Sequence, residues 1–185
     1  NGVQLAIHAM DMMRQQVRPE TRIGTWIIAG GTASNVIPDF GELEVTVRHT
    51  EREYLNGLSE QIKKIFEGAA LCTGTTVDVE FYGNPYDDMN QNHRGTVLIE
   101  NVMSDMGIDF KPGPADIGGS SDIGNVSYQC AAFHPKLRLA GEDKVCHSKE
   151  FAAAMLESTI EQTIVDGANI IGRTLLRLVE NPAVL

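Results

Sequence analysis

The stretch IGTWIIAGGTASNVIPDFGELEVTVRH, residues 23–49, decides how the first half of the chain folds. It opens with Ile23 to Ala29, rich in residues that favour strands (Thr25, Trp26, Ile27, Ile28), and Gly30-Gly31 ends that run. It closes with Gly41 to His49, where Leu43, Val45 and Val47 fall on one face and Glu42, Glu44, Thr46 and Arg48 on the other. Such alternation marks an antiparallel strand with one face on a core and one in water. Between the two runs lies GGTASNVIPD, residues 30–39. This Gly/Pro connection either merely joins the strands or carries chemistry. In the second case Asn35 offers an amide donor, and Arg48 offers a fork suited to a carboxylate.

Moving outward, Val3, Ala6, Met10, Met13 and Val17 recur at helical spacing before Pro19. Downstream, Thr50 and Glu53 form the pattern of a capping box, which predicts a helix start. Its stripe is Leu55, Leu58, Ile62, Ile65, Phe66 and Ala69, and Gly74 is placed to end it. Val77, Val79 and Phe81 then alternate with Asp78 and Glu80, a third strand pattern. Residues 1 to about 82 therefore read α-β-β-α-β. That is the order of a split β-α-β (ferredoxin-like) sandwich lacking its first strand. Asn1-Gly2-Val3-Gln4 also shows neither an initiator Met nor a targeting signal, so the numbering is expected to begin inside a longer chain.

The polar run GNPYDDMNQNHRG, residues 83–95, reads as a crossover between two domains, 1–88 and 89–185. A helix is expected from Thr96 to Met106 with Gly107 as its cap. Short strands are expected at Ile108 to Phe110, Val126 to Phe133 and around Leu137 and Leu139. Ser148 is placed to cap a helix to Met155. A last helix runs from Ser158 to Val179 on the stripe Ile160, Ile164, Ala168, Ile171, Leu175 and Leu178. This half mixes helices and apolar strands, too few for a complete α/β sheet. The whole reads as an α+β unit followed by part of an α/β domain.

The composition narrows the function. The chain has 185 residues and a formal net charge of −10. That opposes binding to nucleic acid or to an anionic membrane, since both need basic surface. No apolar run approaches the ~20 residues of a membrane span. Three scattered cysteines, Cys72, Cys130 and Cys146, give no disulfide framework and fit a reducing, cytoplasmic compartment. There is no C-x-x-C, no H-E-x-x-H, no H-x-D and no G-x-S-x-G. The chain cannot build a full zinc site by itself.

Two weaker signals remain. The loop GPADIGGSSDIGN, residues 113–125, is glycine-rich without the spacing of a P-loop or a dinucleotide fingerprint. It reads as a ligand-approaching backbone or as a plain loop. Among five histidines, His8 falls in a helix, and His49 and His93 stand at element ends, expected to be solvated. His134 precedes Pro135, and His147 stands in Cys146-His147-Ser148 just before a helix.

Taken in order, these motifs resemble a known family. SNVIPDFGELEVTVR, residues 34–48, is similar to the N-(V/I)-I-P…V-R signature in the lid domain of the dinuclear-zinc aminoacylase/carboxypeptidase G family. GGSSDIGNVS, residues 118–127, is similar to its G-(S/T)-(S/T/E)-D loop, in the form found near p-aminobenzoyl-glutamate hydrolases and related dipeptidases. His134-Pro135 and then HSKEF from His147 follow in the same order. The resemblance implies metal-dependent hydrolysis of an amide bond in an N-acyl amino acid or dipeptide-like substrate. It implies two divalent metal ions, usually zinc, mostly held by residues absent from this sequence. Asn35 and Arg48 would bind the substrate carboxylate, Gly118, Gly119 and Asp122 would line the pocket, His134 would lie near it, and His147 would be a metal ligand. Residues 1–88 would be a lid that dimerises, and 89–185 the C-terminal part of the catalytic domain. The H-x-D pair, the glutamate general base and the lid histidine of that family are not in this sequence. Alone, the chain is therefore expected to be inactive and to need a missing N-terminal catalytic segment or self-association. The alternative is a non-catalytic dimerisation or small-molecule-binding module.

Overall fold

Hydrophobic alternation and helical stripes place most of the elements found in a computed structural model of the chain, in which residues 1–112, 119–139 and 144–184 are described. These residues form a mixed α and β structure that divides into two compact units, Asn1–Asp88 and Met89–Leu185.

In the first unit, helix α1 spans Gly2–Met13 and buries Ala6 and Met10. Strands β1 (Arg22–Ala29) and β2 (Glu42–Arg48) pair antiparallel, with Ile23 opposite Val47, Thr25 opposite Val45 and Ile27 opposite Leu43. Side chains directly opposite share a face. The inward face carries Ile23, Val45, Val47 and Leu43 into a core around Met10, Leu58 and Ile62. The outward face carries Arg22 opposite Arg48, Gly24 opposite Thr46 and Trp26 opposite Glu44. Helix α2 (Arg52–Thr73) closes the core with Leu58, Ile62, Ala69 and Ala70. It stops at Gly74, whose left-handed φ of 66° turns the chain so that the Thr75 N–H bonds back to the Ala70 carbonyl at 3.0 Å.

Two expectations for this unit need correction. The Thr50/Glu53 capping box does not form: the N-cap is Glu51, with no side-chain cap bond. The first-turn donors find other acceptors. The Glu51 N–H donates to His49 Nδ1 at 2.9 Å, and the Arg52 N–H donates to Asp88 Oδ1 at 3.1 Å. The third strand is also absent. The described sheet has two strands, and residues 75–82 lie outside it. A strand persists only where a neighbour takes up its backbone donors and acceptors. Val77 and Phe81 are accordingly exposed. The described unit is a hairpin backed by two helices, and a complete split β-α-β sandwich is not formed.

In the second unit, helix α3 (His93–Asp105) starts where Asn92 Oδ1 accepts the Gly95 N–H at 3.0 Å. Its end is marked by Gly107 at φ 67°, with the Ile108 N–H bonded back to the Met103 carbonyl. Helices α4 (Ile123–Ser127), α5 (Lys149–Ala154) and α6 (Thr159–Glu180) follow, then a 3₁₀ turn at Pro182–Val184. The core gathers Ile99, Val102 and Met103 of α3 with Ile170 of α6, and Ile108, Phe110, Phe133 and Leu137 pack onto it.

The strands expected at Ile108 to Phe110, Val126 to Phe133 and Leu137 to Leu139 are not formed. Ile108, Phe110, Phe133 and Leu137 are used as packing on helices, whereas Val126 and Leu139 stay exposed. The Val126 region turns locally instead. The Val126 N–H bonds the Asp122 carbonyl and the Cys130 N–H bonds the Val126 carbonyl, each four residues back. The described residues of this unit thus form helices and irregular segments where an α/β layer was expected.

Helix α6 carries a second correction. Ile170 and Thr174 are buried, whereas Ile164, Ile171 and Leu175 of the expected stripe are exposed. The helix turns a less apolar face to α3 and leaves its most apolar face open.

Candidate functional site

Arg48 ends β2 on the outward face of the hairpin, as the alternation requires. Its side chain has no hydrogen bond or ion pair among the described residues, and it is exposed. Register sets it directly opposite Arg22. Both line a depression of about 590 Å³ together with Arg14, Arg18, Thr21 and Thr46. The four guanidiniums differ in what holds them. Arg14 pairs with Asp11 at 2.9 Å and donates to the Ile23 carbonyl at 2.7 Å. Arg18 pairs with Glu51 at 2.5 Å and lies 4.3 Å over the Tyr54 ring. Arg22 donates to the Pro19 and Thr21 carbonyls, each at 2.8 Å, and meets no carboxylate. Among the described residues, Arg22 and Arg48 thus form no ion pair with an acidic side chain.

Asn35 lies in the exposed connection between β1 and β2. That connection leaves the hairpin at the Ala29/Glu42 end, whereas Arg48 stands at the Arg22 end. Asn35 is not among the residues lining the depression. The structure therefore gathers Arg48 with Arg14 at the α1 C-cap, Arg18 of the connection and Arg22 at the start of β1, and leaves Asn35 apart from them.

In the second unit, Gly118 falls outside the described residues. Gly119 is exposed, with open space where a Cβ would stand. Asp122 is the N-cap of α4 and makes no side-chain cap bond; its Oδ1 accepts from Ser121 Oγ at 3.4 Å. His134 is exposed beyond the buried Ala132. His147 is exposed and takes a left-handed φ of 68°, rare outside glycine. Directly after it, Ser148 Oγ accepts the Phe151 N–H at 3.0 Å and caps α5, as the sequence led one to expect. The cap fixes the chain direction at His147.

Among the described residues no three His, Cys, Asp or Glu side chains gather as a group able to hold a metal. These residues offer His147 as a single donor and do not amount to a metal centre by themselves. No described helix is long and apolar enough to cross a membrane.

Arg14, Arg18, Arg22 and Thr21 join the depression only in the fold, although Arg14, Arg18 and Arg22 recur every four residues up to the start of β1. The structure also corrects the expectation of a solvated His49. The His49 ring lies 4.3 Å from that of Tyr54, and its Nε2 is buried with no partner among the described residues.

No family model matches the chain. Individual proteins do. The Xaa-Arg dipeptidase of Mus musculus is 28% identical over 184 residues, 98% of this chain and 42% of that protein. The N-acetyldiaminopimelate deacetylase of Leuconostoc citreum is 38% identical over 64 residues, 35% of this chain and 16% of that protein. A p-aminobenzoyl-glutamate hydrolase homolog of Haemophilus influenzae is 29% identical over 82 residues, 44% of this chain and 19% of that protein. The chain thus spans less than half the length of the curated relatives it matches. Over nearly its whole length, then, this chain is similar to Xaa-Arg dipeptidases, and over shorter stretches to a deacetylase and to a p-aminobenzoyl-glutamate hydrolase homolog.

Proposed function

We propose that this chain supplies the substrate-carboxylate contact and one metal ligand of a metal-dependent amidohydrolase. The enzyme would cleave the amide bond of an N-acyl amino acid or a dipeptide-like substrate. The observation that carries the reading is Arg48. It is an exposed guanidinium with no partner of its own, at the position where the resemblance calls for a carboxylate contact. The chain around it aligns over 98% of its length with a dipeptidase. A guanidinium binds a carboxylate through two parallel N–H donors, which sets orientation as well as affinity. Asn35 would reach the same substrate as an amide donor on the loop that precedes β2. Gly118, Gly119, Asp122 and His134 would line the pocket of the second unit.

His147 would be one ligand of a pair of divalent ions, zinc as the resemblance implies, with most of the other ligands outside these 185 residues. Bound metals of this kind polarise the scissile carbonyl and activate a water. The chain's own residues hold and orient the substrate. The unit Asn1–Asp88 would act as the lid and dimerise, in a cytoplasmic enzyme.

The test is made on the complete protein. Metal analysis and hydrolysis of dipeptides and N-acyl amino acids are measured with and without a chelator, for the wild type and for His147→Ala. We expect about two divalent ions per chain, activity lost on chelation, and a deficit of about one ion in the variant. Unchanged metal content in His147→Ala, or hydrolysis indifferent to the chelator, contradicts the reading. A complete protein that binds small amides without cleaving them would support a binding module in its place.

A further inference from the structure

We propose that the depression between the end of α1 and the Arg22/Arg48 pair binds a doubly charged tetrahedral oxyanion, either inorganic phosphate or a phosphomonoester. Three observations carry this. The first is charge. Arg14 and Arg18 are matched by Asp11 and Glu51, whereas Arg22 and Arg48 pair with no carboxylate among the described residues. Two positive charges are left at one spot of a chain whose net charge is −10. A dianion matches both charges, whereas a single carboxylate on Arg48, as in the hydrolase reading, offsets one of them and leaves Arg22 unmatched.

The second is register. Arg22 and Arg48 are directly opposed across the hairpin, so their Cβ atoms lie on the order of 5 Å apart. Like charges so placed destabilise a hairpin. An anion between them turns that repulsion into two charge-assisted hydrogen-bonding forks.

The third is Thr21. It is only 7% exposed, lines the same depression, and its Oγ1 is buried with no hydrogen-bond partner among the described residues. Buried hydroxyls are nearly always paired. A small rotation of this side chain toward the depression would give Oγ1–H an anion oxygen to donate to. The donors also come from several elements: α1 and its extension, the start of β1 and the end of β2. That spread suits the four oxygens of a tetrahedral group better than the plane of a carboxylate. Arg14 and Arg18 are already fixed by Asp11, the Ile23 carbonyl, Glu51 and Tyr54, so the wall they form is in place before a ligand arrives.

The proposal does not rest on the hydrolase reading, in which Thr21 and Arg22 have no part. Inorganic phosphate is titrated into the 185-residue chain at low ionic strength by calorimetry, with glycerol phosphate and acetate as comparisons. We expect one saturable phosphate site, with acetate weaker. Arg22→Gln should weaken phosphate by about tenfold or more, and Thr21→Val by a smaller factor, with circular dichroism unchanged. Glycerol phosphate binding more tightly than phosphate would support the site and show that the anion arrives on a larger molecule; equal binding would support it as a site for the free ion. An absence of saturable binding below roughly 50 mM phosphate overturns the proposal. So does phosphate binding that survives Arg22→Gln and Thr21→Val and is lost only in Arg48→Ala. That pattern would leave a lone carboxylate-type contact at Arg48, as the hydrolase reading has it.

Discussion

Arg48 and Gly74 show two ways in which a single residue type is forced. At Arg48 the strand period decides. Every second residue of β2 faces water, and an arginine there is free to meet a ligand. At Gly74 the backbone decides. A φ of 66° is ordinary for glycine and costs an L residue about 1–2 kcal/mol. Gly74→Ala should therefore destabilise the chain by about that amount in urea denaturation, although a Cβ there would meet no atom within 4 Å. A variant as stable as the wild type would show that α2 does not end in the left-handed conformation. Both residues were legible in the sequence, because period and glycine punctuation are local signals. Thr21 was not. Nothing in its neighbours says that a threonine leaving a Pro-Glu turn will be buried with an unpaired hydroxyl; that follows from how α1 and the hairpin meet. His49 escaped for the same reason, since its burial comes from Tyr54 and Glu51.

At the scale of elements, the helices were readable because their hydrogen bonds are internal. Ser148, Gly74 and Gly107 each mark a terminus that the structure shows, whereas α3 starts at His93, after an Asn92 cap, ahead of the expected Thr96. The strands were readable only where a partner is supplied. Ile23 to Ala29 and Gly41 to His49 pair with each other, whereas Val77 to Phe81 and Val126 to Phe133 have strand-like composition and no ladder. Helix α6 separates existence from orientation. Its hydrophobic period announced a helix but pointed to the face of Ile164, Ile171 and Leu175, whereas the buried positions are Ile170 and Thr174. Adjacent residues give the test. Ile170→Ala should cost about 2–5 kcal/mol in denaturant melts of this chain, and Ile171→Ala within about 0.5 kcal/mol. The reverse ranking would mean that α6 is rotated from the arrangement described.

At the scale of the whole molecule, the chain is two compact units, each with its own core and its own exposed chemistry. The first presents arginines on the outer face of a hairpin. The second presents Asp122, His134 and His147 on loops and helix starts. The sequence points to amidohydrolases through the order of its motifs, and the chain is 28% identical over 184 residues to an Xaa-Arg dipeptidase. It could not show a metal centre, because one imidazole is not a donor set, and it could not show the arginine-lined depression, whose walls come from separate elements. One experiment decides whether Arg48 recognises the free carboxylate of an amide substrate: kcat/KM of the complete protein and of Arg48→Ala on an N-acyl amino acid and on the same compound with that carboxylate converted to a primary amide. The wild type should prefer the acid by about 2–3 kcal/mol of transition-state binding, and Arg48→Ala should lose the preference. A preference for the acid that survives intact in Arg48→Ala would contradict that recognition.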